Sequence, residues 1–139
     1  MTKRILIPVD GSPQSTAALS FVAEEWPDAE VTVLHVINPT DAGGSPSAGI
    51  PSGAEEWFEI EKERSASLLA DAASVVDRSV RTRTEVGRPT RTILDVVESG
   101  EFDHVVMGSH GRSGVSRILL GSVTEAVVRE SPVPVTVVR

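Results

Sequence analysis

Short apolar runs alternate with longer amphipathic stretches along this chain, and this alternation constrains the fold more than any other feature of the sequence. Three of the runs, at Ile5–Val9, Val31–Ile37 and Val105–Met107, have the length of single strands. Strands that are apolar on both faces are typical of parallel sheets, because helices cover both sides of such sheets. The alternation therefore predicts β-α-β units and an α/β fold with a parallel sheet.

Two further strands are predicted at sheet edges. In Val80–Val86 charged residues alternate with threonines, so one face of that strand is expected to contact water. The last run, Val133–Val138, contains Pro134, which lacks an amide hydrogen and therefore favours an edge or a strand start. A bare apolar edge promotes aggregation unless it is covered. A helix of the same chain would cover it, and so would a second copy; we favour a homodimer through Val133–Val138.

Four helices fit between the strands. The first is predicted to begin after Ser12, with Pro13 at the first helical position. The second is predicted from about Ala54 to Asp77, and the short third helix ends at Gly100, a usual C-terminal glycine. Residues predicted to face inward are Ala17, Ala18, Phe21, Val22, Leu68, Leu69, Ala72, Val76, Ile93, Leu94 and Val97.

Size and charge exclude several classes of protein. The chain has 139 residues, so we expect one domain over 1–139, with a mobile loop at about 38–53, where Gly, Pro, Ser and Ala are frequent. The absence of cysteine excludes disulfides and thiolate chemistry. A net charge of −7 argues against nucleic acid and anionic lipid as partners. The first residues do not resemble a secretory signal and no apolar run is long enough to cross a bilayer, so a cytoplasmic location and no membrane partner are expected.

The segment from Val105 to Ser122 carries the clearest functional signal. A strand leads into a loop containing Gly108, Gly111 and Gly114, and Gly121 precedes the predicted fourth helix. Glycines allow backbone amides to approach a bulky anion, and a helix start adds unpaired amides and the positive end of the helix dipole. The segment contains basic residues and no acidic one. Phosphate is the expected ligand; the alternative is a flexible loop with solvated arginines.

The fourth helix is predicted to begin at Ser122. Glu125 follows three positions later, which is the spacing of a capping box. In that motif each side chain accepts a hydrogen bond from a backbone amide at the helix start.

Other site types fit less well. The sequence has no P-loop motif, and its first strand leads into Asp10-Gly11-Ser12 rather than G-x-G-x-x-G. A phosphorelay receiver would carry an aspartate at the end of its third strand, where this chain has Val86-Gly87. Neither a G-x-S-x-G elbow nor a zinc motif is present.

These residues resemble the ATP-binding universal stress proteins. Gly108, Gly111 and Gly121-Ser122 match the family pattern G-x2-G-x9-G-[ST] without a gap. The segments ILIPVDGS, LHV, VVMGSHGRSG and PVPVTVV are also typical of the family, so the resemblance spans almost the whole chain.

The resemblance implies a single doubly wound domain. Its five-stranded parallel sheet is expected in the order 3-2-1-4-5, flanked by four helices. Family dimers commonly pair the last strand antiparallel with its twin. The resemblance also implies bound ATP, with Mg²⁺ as the accompanying cation; it assigns no metal-binding side chain.

The resemblance further implies a set of site residues. Asp10, beside Pro8 and Val9, matches the position that contacts the nucleoside, and Val36 matches the position that lies against adenine. The positions expected to line the rest of the pocket or to approach the phosphates are Met107, Gly108, Gly111, Arg112, Gly121, Ser122 and Val123.

Several of these residues also have structural interpretations. Asp10 is suited to a turn, and Ser122 to a helix cap. His110 is interpreted either as a donor to the ligand or as a solvent-facing loop residue. Structural roles are expected for His35, His104, Trp26 and Trp57.

The leading hypothesis is a dimeric, ATP-dependent sensor or switch in the stress response, with at most slow ATP hydrolysis. One alternative is a nucleotide-free structural or interaction dimer of the same fold. The other is a genuine ATP hydrolase. The sequence indicates no particular protein partner.

Overall fold

The strands form one parallel sheet in the order β3-β2-β1-β4-β5, which confirms the order expected from the resemblance. The computed structural model describes residues 2–42, 51–110 and 120–139. The strands are β1 Arg4–Pro8, β2 Glu30–Ile37, β3 Arg81–Val86, β4 His104–Gly108 and β5 Val135–Val138. The helices are α1 Pro13–Glu25, α2 Pro51–Val76, α3 Pro89–Glu98 and α4 Ser122–Glu130. Within the described part of the chain, no helix has both the length and the apolarity needed to cross a membrane.

Both ends of the segment predicted as a loop are helical. Pro39–Ala42 forms a short 3-10 helix, and α2 begins at Pro51, three residues before the predicted start. Residues 43–50 lie outside the described part of the chain, so the predicted mobility there stays a prediction.

The central strands are apolar because each of their faces is covered by helices. Ile5 and Ile7 of β1 pack against α1 and α2, whereas Leu6 between them packs against α3. All three side chains are completely buried. This two-sided burial explains why the strand appears in the sequence as a continuous run rather than an alternating one.

A buried serine fixes α2 on the sheet. Ser65 is fully buried, and its hydroxyl lies 2.8 Å from Nδ1 of His35 on β2 and 2.7 Å from Oγ1 of Thr84 on β3. A buried hydroxyl needs such partners to offset its loss of water. Because these bonds join three elements, they set the position of α2 along the two strands.

Both predicted edge strands lie at the edges of the sheet. No residue of β3 is fully buried, and its half-buried Arg83 and Glu85 form an ion pair with an N–O distance of 2.7 Å. β5 occupies the opposite edge, and it begins at Val135, directly after Pro134.

Two helix ends agree with the sequence, and one does not. The Ser12 hydroxyl caps α1 by accepting from the Ser15 amide at 3.2 Å, and Gly100 follows α3 with φ +84°. The predicted capping box of α4 is wrong, because Gly121 occupies the cap position and makes no side-chain capping bond. Ser122 is therefore the first helical residue, and Glu125 pairs with Arg129 instead.

His104, at the start of β4, generates a prediction about stability and pH. Its Nε2 lies 2.7 Å from Oγ1 of Thr136 on β5, and its ring packs against Trp26 at 5.1 Å between centroids. Burial, assisted by the nearby positive charge of Lys3, lowers the pKa of His104. The unfolded chain therefore binds this proton more readily than the folded chain does. Stability should fall as the pH falls through the ordinary histidine pKa of about 6.5.

We expect His104→Gln to lose less stability than the parent protein between pH 8 and pH 5.5. Glutamine can keep a hydrogen bond to Thr136 but does not take up the proton. Thermal unfolding of both proteins across this range measures the difference. Parallel pH curves for the two proteins would contradict this explanation.

Candidate functional site

A cavity of about 550 Å³ opens at the carboxyl ends of β1, β2 and β4. The strand order reverses between β1 and β4, and open α/β sheets bind ligands at such a point. The lining residues are Pro8, Val9, Asp10, Ser12, Ser15, Leu34, His35, Val36, Asn38, Pro89, Ile93, Met107, Gly108, His110, Gly121, Ser122, Val123 and Thr124.

The structure places ten of the predicted site residues on the wall of this one cavity. They are Pro8, Val9, Asp10, Val36, Met107, Gly108, His110, Gly121, Ser122 and Val123. The other two, Gly111 and Arg112, lie outside the described residues. Their predicted contacts with phosphate stay predictions.

One side of the cavity is apolar. Leu34 and Met107 are buried, and Val36 and Ile93 lie on the same covered side of the sheet. The sequence predicts Leu34 in a strand and Ile93 in a helix core but assigns neither residue to the site. A period of two in β2 gives the missing signal, because Leu34 and Val36 must share a face.

Asp10 forms the turn between β1 and α1. Its Oδ1 accepts from the Ser12 amide at 2.9 Å and from the Ser15 hydroxyl at 3.3 Å. Gly11, with φ +83°, completes the turn. The structural interpretation of Asp10 is therefore correct, and the same turn brings Asp10 to the cavity wall. Ser12 and Ser15, which the sequence did not assign to the site, line the cavity beside it.

Another part of the cavity wall is formed by the start of α4. The Gly121 amide donates to the Ser109 carbonyl at 2.8 Å, and the Thr124 hydroxyl donates to the Gly108 carbonyl at 2.8 Å. These bonds hold the helix start against the end of β4. The first amides of a helix have no partner within it, and the macrodipole adds partial positive charge there. The arrangement suits an anion.

His110 lies two residues after the end of β4. Its Nδ1 is 3.2 Å from the Ser109 hydroxyl, and its residue lines the cavity. Because His110 lines the cavity, its position is compatible with the first of the two interpretations, a donor to a ligand.

Gly108 has a packing role that the sequence did not reveal. A Cβ atom placed on Gly108 would lie 2.7 Å from the backbone carbonyl carbon of Gln14 on α1. Backbone atoms cannot move aside as a side chain can, so glycine is required where α1 crosses the end of β4. The match to the family pattern at this position therefore has a structural cause that requires no ligand.

Comparison with known proteins shows the family. The universal stress protein family model matches residues 1–139. The chain belongs to the universal stress protein family.

Two relatives come from Methanocaldococcus jannaschii. Universal stress protein MJ0531 is 33% identical over 140 residues, covering 99% of this chain and 82% of the relative. Universal stress protein MJ0577 is 32% identical, covering 100% and 96%. The solved structure of MJ0577 superposes with a TM-score of 0.80 over 99% of this chain and 96% of that one.

A more distant member, from Arabidopsis thaliana, was solved with AMP bound. It is 16% identical, and it superposes with a TM-score of 0.68 over 98% of this chain and 90% of that one. At this identity the comparison supports the shared fold.

A pair of glycine substitutions tests the packing role of Gly108. Gly108→Ala should destabilise the protein by about 1–3 kcal/mol or more, because the new methyl group meets the backbone of Gln14. Gly53→Ala is the matched control: Gly53 lies in α2, and a Cβ atom placed there would have no other atom within 4 Å, so alanine should stabilise the helix by about 0.5–1 kcal/mol. Urea unfolding measures both changes. Equal stability of Gly108→Ala and the parent would contradict the packing role.

Proposed function

We propose that the cavity binds ATP together with Mg²⁺, and that the protein acts as a dimeric, nucleotide-dependent sensor or switch in the stress response. The observation that carries the proposal is the division of one cavity into an apolar side and an amide-rich helix start. A nucleotide has the same division, with an apolar base at one end and phosphates at the other. The AMP bound to the Arabidopsis relative supports an adenine nucleotide.

The base occupies the apolar side in this proposal. Val36 lies on β2 and Met107 on β4, the two strands that flank β1, and Ile93 lines the cavity from α3. These side chains offer a surface without charge, which favours a flat aromatic ring. Asp10 lines the same cavity and accepts hydrogen bonds from the ribose or the base.

The phosphates lie at the start of α4. The amides of Ser122 and Val123, the Ser122 hydroxyl and the helix dipole together stabilise negative charge. Because Ser122 is the first helical residue and caps nothing, its hydroxyl is available to a phosphate oxygen. Gly111 and Arg112 would supply further donors, as the resemblance implies, and so would His110 in the first of its two interpretations.

The metal is held mainly by the triphosphate. Among the described residues, no three His, Cys, Asp or Glu side chains are grouped in a way that would hold a metal ion. Mg²⁺ commonly binds through substrate phosphates and water with few protein ligands. Asp10 is the one carboxylate among the described residues of the cavity wall, so we propose at most slow hydrolysis.

The dimer forms through the free edge of β5. The carbonyls of Pro134 and Val138 accept hydrogen bonds from β4, so the peptide groups of Val135 and Val137 face away from it. An antiparallel twin would satisfy those outward groups and cover the half-buried valines. The dimer then has two conformational states that bind nucleotide with different affinities. Nucleotide binding shifts the population toward one state and so changes which partner proteins bind. We retain the cytoplasm as the predicted location.

Thermal unfolding with MgATP tests the nucleotide site. At 100 times its dissociation constant, MgATP should stabilise the protein by about 2.7 kcal/mol. Ser122→Ala should weaken ATP binding about tenfold or more in calorimetry, because it removes a hydrogen bond to a charged group. The stability of Ser122→Ala without ligand should be unchanged. The control Ser20→Ala, at an exposed position on α1, should change neither ATP affinity nor stability. No stabilisation by millimolar MgATP, and no nucleotide released by acid from the purified protein, would favour the nucleotide-free alternative.

Sedimentation equilibrium tests the dimer. The parent protein should have the mass of a dimer, and Val137→Pro should shift it to a monomer, because proline removes an outward amide without removing a bond to β4. Dimers of unchanged affinity in Val137→Pro would place the interface elsewhere.

A further inference from the structure

A second cavity, separate from the proposed nucleotide site, runs between α1 and α2. Its volume is about 420 Å³. Its lining residues are Val9, Gly11, Ser15, Thr16, Leu19, Arg64, Ser67, Leu68, Asp71, Ala72 and Val75. The floor is apolar, since Leu19 and Ala72 are buried and Leu68 is partly buried. The rim is polar. We refer to this cavity as the α1–α2 cleft.

The α2 wall of the cleft continues beyond the cleft toward the start of the helix. Within the wall, the lining residues Arg64, Leu68, Asp71 and Val75 follow each other at spacings of four, three and four. The same spacing extends back to Ile60 and Trp57, which places both on this side of the helix. We call the six residues from Trp57 to Val75 the α2 strip. It is about 27 Å long, or five helical turns.

The described strands do not reach the upper part of the α2 strip, because α2 extends past the end of the sheet. Ser65 bonds to His35, and β2 ends only two residues later, at Ile37. From Ser65 back to Pro51 the helix extends about 21 Å in the same direction. Ile60, in this extension, is 49% exposed, and Trp57 is half-buried against Phe58 at 5.4 Å between ring centroids.

The α2 segment around the strip is strongly acidic. Between Glu55 and Asp71 the sequence has six acidic and two basic side chains. Both basic residues are already paired, Lys62 with Glu59 at 3.6 Å and Arg64 with Glu61 at 3.0 Å. Within the described residues no ion pair is formed by Glu55, Glu56, Glu63 or Asp71.

We propose that the α1–α2 cleft and the α2 strip dock a basic amphipathic helix of a partner protein. An apolar floor, a length of about five turns and exposed Ile60 suit the apolar face of such a helix. Glu56 and Glu63 beside the strip, and Asp71 within it, pair with its lysines and arginines. The same charge repels nucleic acid, anionic lipid and a second copy of this chain, so it selects a basic protein segment among the occupants.

A synthetic peptide tests this docking surface. The probe is an 18-residue peptide of leucine and lysine with leucines at helical spacing, and its control has glutamate in place of lysine. Trp26→Phe leaves Trp57 as the only tryptophan, which makes it the reporter. The basic peptide should shift the emission of Trp57 to shorter wavelength, and its binding should weaken with salt. The acidic peptide should not bind.

Two matched variants locate the binding. Ser67→Arg places bulk and positive charge in the cleft and should weaken peptide binding about tenfold or more. Ala66→Arg adds the same charge one residue away, at an exposed position that does not line the cleft, and should have a much smaller effect. If Ser67→Arg fails to fold, Glu56→Gln with Glu63→Gln takes its place, with a weaker salt dependence expected.

Three results would overturn the proposal. The first is the absence of peptide binding, and the second is equal weakening by Ser67→Arg and Ala66→Arg. The third is a fall in the sedimentation mass on Ile60→Ser, which would show that a second copy covers this face. The assay contains no nucleotide, so its outcome does not depend on the ATP proposal.

Discussion

The end of β4 holds the site together. The Ser109 amide donates to the Val138 carbonyl of β5 at 2.8 Å. The Ser109 carbonyl accepts from the amide of Gly121, the residue before α4. Gly108, one residue earlier, accepts from Thr124 and packs against the backbone of Gln14. One dipeptide thus fixes α1, α4 and β5 relative to each other. The proposed nucleotide site lies between α1 and α4, and β5 is the proposed dimer edge.

The fold was predictable because it depends on patterns of burial that repeat along the chain. The two-sided burial of Leu6 and Ile7 appears in the sequence as a continuous apolar run. The solvent-exposed edge strand that contains Arg83 appears as an alternation of charged residues and threonines. Much of the site was predictable because a motif marks it. Contacts between distant segments were not: nothing local distinguishes Ser65 from an exposed helical serine, or shows that Gly108 faces the backbone of Gln14. The prediction of a capping box was wrong because glycine, like serine, is common at the N-cap position of a helix. In the structure Gly121 is the N-cap, and Ser122 is the first helical residue.

The proposed nucleotide cavity and the α1–α2 cleft share part of their walls. Val9 and Ser15 line both, and Ser15 also bonds to Asp10 at the turn between them. Leu68 of the cleft lies against that turn, 3.2 Å from a Cβ placed on Gly11. A ligand that moved the turn would therefore act on the floor of the cleft through direct packing. This is a physical route by which a nucleotide and a partner would affect each other's binding.

The central claim is that backbone amides at the start of α4 bind the phosphates of ATP. Titration of ¹⁵N-labelled protein with MgATP, followed by amide NMR shifts, tests it most directly. Large shifts are expected at Ser122, Val123 and Thr124, accompanied by shifts at Val36 and Met107 on the apolar part of the cavity wall. Saturable binding that leaves the α4 amides unmoved would contradict it.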